Sequence, residues 1–167
     1  MNVKPNENEM IPKEEALHQV RLALRRAALI YHYFSKTILE ELGEHRGTTL
    51  IKKAVNEYGT HVGREARRKA DEKGLIPLPE NFESDLPMFA WKTEPVMVDG
   101  EKRVRTYHCP LAETWLQLGS GQTARFYCYV DQAKTQAFNS DFEFVHVKNI
   151  LDGDPYCEMV IRPLKKR

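Results

Sequence analysis

The sequence predicts an α+β fold, with an N-terminal helical hairpin packed on an antiparallel sheet of two β-hairpins separated by a helical segment. Three observations carry this expectation. Apolar residues recur at helical spacing through residues 17–38 and again through 50–70. Two turn signals, Asp99-Gly100 and Asp152-Gly153-Asp154-Pro155, each divide a pair of strand-like runs. The helical signals come first along the chain and the strand signals follow.

Taken in order, residues 1–13 form a polar lead-in with Pro5 and Pro12, expected to be flexible, and 14–167 form a single globular domain. Leu17, Val20, Leu24, Ala27, Tyr31, Phe34 and Ile38 alternate at three and four residues, which places them on one helix face that Gly43 ends. A second helix over about 48–73 carries Leu50, Ala54, Tyr58, Val62, Ala66 and Ala70 at spacing four and stops at Gly74. Gly59 and Gly63 lie within it, where each costs about 1 kcal/mol relative to Ala, so a close neighbour or ligand is expected there. These two helices make the helical layer, 14–74. Residues 75–88 read as a connection. Phe89 to Val98 and Lys102 to Cys109 form the first β-hairpin around a type I′ turn. Pro110 suits the first turn of a helix. Helical pieces follow at 111–118 and 123–138, broken by Gly119-Ser120-Gly121, and the second hairpin pairs 141–151 with 156–162. The basic tail Lys165-Lys166-Arg167 reads as a solvated end.

The chain has 167 residues, of which 41% are hydrophobic and 29% charged. That composition describes an ordinary globular protein with enough length for a sizeable core. Lys plus Arg number 25 against 24 for Asp plus Glu. The near-zero net charge argues against a nucleic-acid partner. No apolar run is long enough to span a bilayer, and no apolar h-region follows the N-terminus. Three well-separated cysteines without such a signal point to reduced thiols and a cytoplasmic location. The sequence contains no P-loop, G-x-G-x-x-G, G-x-S-x-G or H-E-x-x-H.

Those three cysteines direct attention to the last third of the chain. Each lies near a carboxylate: Cys109 near Glu113, Cys128 near Asp131, and Cys157 between Asp154 and Glu158. A purely structural cysteine more often keeps apolar company, whereas thiols beside His and carboxylates are the groups that act as nucleophiles or bind metals. Cys109 falls at a strand–helix junction, where the helix N-terminus would lower its pKa. His108 adjoins it but points to the opposite face of an extended strand, so Glu113, one turn on, is the better neighbour. Cys128 and Asp131, three apart, share a helix face, and Arg125 with Tyr129 could grip a carboxylate ligand. Cys157 alternates with Met159 and Ile161 toward the core. Each of the three thiols also has a plain reading as a small core residue. Zinc cysteines usually lie two to four residues apart, and none of these do. A metal shell of Cys109, Cys128 and Cys157, with His108 or His146, would have to assemble from distant elements. His61, between the two helix glycines, is a further weak ligand candidate, and the mixed-charge run 64–72 reads as a solvated face.

The ordered set Cys109-Pro110-x-Ala112-Glu113 to Trp115 and Gly119, then Tyr127-Cys128-x-x-Asp131 to Phe138-Asn139, then Phe142-x-Phe144 to Gly153-Asp154-x-x-Cys157-Glu158, resembles the L-2-amino-thiazoline-4-carboxylic acid hydrolase family. The residues carrying the resemblance lie between about 105 and 162. The resemblance implies hydrolytic opening of a small cyclic amidine or amide at a C–N bond, with a small molecule as partner. It implies Cys109 as nucleophile or substrate holder, and Glu113 and Asp131 as proton carriers. Asn139 would donate to developing charge, with His108, Arg125, Cys128 and Cys157 completing the substrate site. No cofactor is required, although a divalent metal, zinc or manganese, is compatible with such a site. The ending Gly-Asp-x-x-Cys-Glu also resembles the closing strand of 4-vinyl reductase ligand-binding domains. That leaves a non-catalytic small-molecule or zinc-binding sensor as the alternative, and a thiol redox sensor as a third. The apolar end of the first helix, at Tyr31, Phe34 and Ile38, serves either the core or a homodimer interface.

Overall fold

The computed structural model describes residues 11–164. Positions 1–10 of the expected lead-in and the tail Lys165-Lys166-Arg167 lie outside the described residues. Helix α1 (Lys13–Glu72) is broken at Gly43, whose φ of 72° and ψ of 165° fall in a region that essentially only glycine occupies. The break produces the expected helical hairpin. In a straight helix Gly47 would stand about 12 Å from Leu39. Here a Cβ on Gly47 would lie 3.1 Å from Leu39 Cα, so the chain has doubled back.

Strands β1 (Lys92–Val98) and β2 (Glu101–His108) follow, then α2 (Pro110–Gln117), α3 (Gly121–Ala124), a 3₁₀ turn over Arg125–Tyr129, α4 (Val130–Phe138), β3 (Phe142–Lys148) and β4 (Cys157–Pro163). The four strands form one antiparallel sheet in the order β1-β2-β4-β3, so the two hairpins join through β2 and β4. Asp99 and Gly100 both have positive φ, 51° and 79°, as a type I′ turn requires. The first strand starts later than expected, because Met88–Ala90 close into a 3₁₀ turn. The helix expected over 123–138 is also interrupted, since the aromatic run Phe126-Tyr127-Cys128-Tyr129 winds into the tighter 3₁₀ geometry. That winding seats Tyr127 among Tyr31, Tyr58 and Trp115, with ring centroids 5.2, 6.5 and 5.3 Å away.

The helical hairpin lies over the sheet by way of α2 and α4, its main partners. Its first arm buries Leu24 and Ala28 against Leu111, Ala112 and Trp115. Trp115 Nε1 donates to the Ala28 carbonyl at 2.9 Å. The second arm packs Ile51 and Val55 on Val130. Gly59 and Gly63 face α4 directly: a Cβ on Gly59 would sit 2.7 Å from Ala133 Cβ, and one on Gly63 would overlap the Lys134 carbonyl. The two helix glycines therefore mark a close backbone approach. On the outer face of the sheet, Glu158 is covered by Arg103 and Arg105, each at 2.7 Å. Those guanidiniums hold its carboxyl below the usual range.

Candidate functional site

The three cysteines come from three different elements and converge behind the α2–α4 layer. Cys109 is the extended residue just before α2, with Pro110 at the first helical position. Cys128 sits in the 3₁₀ turn and Cys157 opens β4. Cys157 Sγ accepts from the Ile150 amide at 3.4 Å. Cys157 and Glu158 are strand neighbours and so point to opposite faces, which removes Glu158 from the thiol cluster. A negative charge on Cys109 would raise the pKa of both other thiols, and Asp131 raises all three, which places these four groups in one neighbourhood.

The thiols are not activated at rest. Burial raises the Cys109 pKa, and the amides of Leu111 and Ala112 together with the Trp91 side chain offset this only in part. The helix-terminus effect expected at this junction is present but loses to desolvation. Burial pushes Cys128 up to about 12 and raises Cys157 as well.

Asp131 lies in the first turn of α4, which continues directly from the 3₁₀ turn before it. Its Oδ1 is 2.6 Å from Lys134 Nζ, one helical turn on, and its Oδ2 is 3.6 Å from His146 Nε2 on β3. The Lys134 pKa is raised: burial would lower it, but Asp131, helped by Asp85 and Tyr58, more than offsets burial. His146 shows the reverse balance. Its side chain is 4% exposed, and burial lowers its pKa despite Asp131. The result is a neutral imidazole held against a carboxylate.

Polar groups around this pair lack partners. Among the described residues, His146 Nδ1, Arg125 Nη1 and Asn149 Nδ2 are buried with no hydrogen bond. Arg125 is anchored by Nε donating to Asp152 Oδ2 at 2.8 Å, and its guanidinium lies 5.6 Å from the Tyr129 ring centroid. The expected Arg125–Tyr129 pair thus forms, with Asp152 as an unforeseen third member. Asn149 Oδ1 accepts from the Leu151 amide, which leaves its Nδ2 on the Cys128 side, where it favours the thiolate. Unsatisfied buried polar atoms are uncommon, and a water or a polar ligand can supply the partners they lack.

Other expected residues sit elsewhere. His108 and Glu113 face each other at 3.7 Å, beyond hydrogen-bond range, and the Glu113 side chain is 57% exposed. Asn139 caps the end of α4: its Nδ2 donates to the Pro77 carbonyl and its Oδ1 accepts from the Asp141 amide, both at 2.9 Å. Among the described residues no three His, Cys, Asp or Glu side chains are grouped so as to hold a metal ion, so a shell of Cys109, Cys128 and Cys157 is not preformed. Lys134 and Asn149 are the members that sequence reasoning missed, and His146 entered it only as a metal-shell candidate, not as the neighbour of Asp131. The Asp131–Lys134 spacing of three was a usable signal; the approach of His146 from β3 had none.

The family model for L-2-amino-thiazoline-4-carboxylic acid hydrolase matches residues 21–161, so the match takes in the helical half as well as the cysteine-bearing part. No curated protein and no solved structure matches the chain.

Proposed function

The chain belongs to the L-2-amino-thiazoline-4-carboxylic acid hydrolase family, and on that premise we propose that it opens the ring of a small cyclic amidine at a C–N bond, with Asp131 and His146 as the acid–base pair. The observation that carries this reading is the buried neutral imidazole of His146, backed by the Asp131 carboxylate and with Nδ1 left unpartnered. A base held neutral at physiological pH is what activation of water needs.

In this reading water adds to the carbon between the ring sulfur and ring nitrogen, and His146 takes its proton. The imidazolium delivers that proton to the ring nitrogen, and the bond from the carbon to this nitrogen then breaks as the adduct hydroxyl passes its own proton to the departing amine and becomes the carbamoyl C=O. One water is consumed, and the product carries a carbamoyl group on sulfur and a free amine. Asp131, 3.6 Å away and too far for a direct hydrogen bond, stabilises the charged form of the imidazole through its own charge. Arg125, with a buried Nη1 that has no partner, and Asn149, whose Nδ2 lies beside the Cys128 thiol, hold polar substituents of the substrate. Cys109 and Cys128, kept as neutral thiols by burial, form the wall against which the ring rests. Cys109 is thus proposed as a substrate holder, and Glu113, exposed and turned to His108, has no proposed part in proton transfer.

The test is incubation of the purified protein with 2-aminothiazoline-4-carboxylate, with carbamoyl-cysteine followed by mass spectrometry. Turnover that falls roughly 10²- to 10⁴-fold in Asp131→Asn supports the assignment. A native protein that leaves the ring intact overturns it.

A further inference from the structure

A second feature borders Lys134 and has none of the thiols in its lining. It is a cavity of about 140 Å³, lined mainly by Phe82, Phe138, Phe142, Phe144 and Ile161, with Lys134 among its few polar neighbours. An apolar cavity of about 150 Å³ takes up benzene. A predominantly apolar wall also gives water few partners, so the space suits a hydrocarbon group better than solvent.

The cavity is built to stay open. Helix α4 cannot draw back from it, because Gly59 and Gly63 already bring the backbone of α1 hard against α4 on the opposite side. The roof is the turn Pro79–Asn81 with Phe82 after it. It is tied down by Asn139 Nδ2 donating to the Pro77 carbonyl at 2.9 Å and by Asn81 Nδ2 donating to the Ile76 carbonyl at 2.8 Å. The floor is fixed by strand register, with Phe144 opposite Ile161. Phe82 and Phe138 meet edge to face at 5.2 Å, which fixes the angle between two walls.

Two contacts join this cavity to the acid–base pair. Lys134 borders the cavity and holds Asp131 at 2.6 Å. Phe144 borders it and lies 4.9 Å, centroid to centroid, from the His146 ring, two residues along the same strand face. The Lys134 ammonium is already matched by Asp131, so the cavity offers no free cation to a ligand's buried end. The occupant is therefore an uncharged apolar group.

We propose that this cavity is a binding subsite for a benzene-sized apolar group, aromatic or branched aliphatic, adjoining the Asp131–His146 pair closely enough for one ligand to span both. Calling that ligand a substrate rests on the proposed reaction; the subsite itself does not.

The experiment is titration of the native protein with toluene, followed by NMR of the Ile161 methyl groups and the His146 imidazole, and repeated in Ile161→Trp and Ile161→Phe with thermal melting as the check on folding. The expected result is saturable shifts at both residues in the native protein and affinity weakened about tenfold, ~1.4 kcal/mol, in whichever filled variant is folded. No saturable shift at Ile161, or affinity unchanged by filling, overturns the subsite. Binding that leaves His146 unmoved overturns its connection to the acid–base pair. The readout is binding rather than turnover, so a protein that binds toluene yet leaves the aminothiazoline ring intact refutes the reaction while retaining the subsite.

Discussion

Gly63 faces the carbonyl oxygen of Lys134 with no room between them for a methyl group. Alanine at this position would gain about 1 kcal/mol of helix propensity. It would also push α1 off α4, and overpacking of this kind costs about 1–3 kcal/mol. Gly63→Ala is therefore expected to be less stable than the native protein in urea denaturation, with Gly59→Ala behaving the same way. A more stable Gly63→Ala would mean the helices are free to separate.

The cysteines are expected to be slow. Burial raises all three above the range of an ordinary thiol. Alkylation of the native protein, read residue by residue by mass spectrometry, should proceed more slowly at pH 7 than for free cysteine and accelerate only in alkali. Rapid labelling of Cys109 at neutral pH would restore it as a nucleophile.

Catalysis provides a separate check on the same residue. If Cys109 only holds the ring, Cys109→Ser should keep turnover within about tenfold, since one hydrogen-bond or packing change is worth roughly 1 kcal/mol. A loss above about 10³-fold would indicate covalent chemistry.

Stability should depend on pH in two windows of opposite sign. His146 has a folded pKa below its ordinary value of about 6.5. Unfolding therefore takes up a proton in that range, and stability falls as pH drops below about 6.5. His146→Gln should flatten this acid limb in denaturation measured across pH. The thiols hold their protons to higher pH in the folded state, so stability should also fall as pH rises above about 9.

Trp115 is 1% exposed and donates to the Ala28 carbonyl, which lies in a different layer of the fold. Trp115→Phe removes that bond and leaves a small void, at a cost of about 1–3 kcal/mol by thermal or chemical melting. An unchanged melting curve would mean that the first helical arm docks without this contact.

The helical hairpin, the Gly43 stop, the Asp99-Gly100 turn and the pairing of the two β-hairpins were all legible, because each depends on local spacing and on backbone freedom at one or two residues. The 3₁₀ winding at Arg125–Tyr129 was not, since it follows from where Tyr127 packs. The convergence of the cysteines was legible only in that each had an acid nearby. Asp131 proved to be a shared neighbour, while Glu113 and Glu158 point elsewhere. Proximity in sequence suggested His108; the imidazole beside Asp131 is His146, supplied by a strand whose register no local pattern reveals.

The bond from Trp115 to Ala28 spans 87 positions of chain. Synthesis proceeds from the N-terminus at about 5–20 residues per second, so the first helical arm waits several seconds before its partner exists. The hairpin of α1 can wind on its own as it leaves the ribosome, but its glycine face has nothing to close on until α4 follows. During that interval the small-residue face of α1, which α4 later covers, has no partner from its own chain.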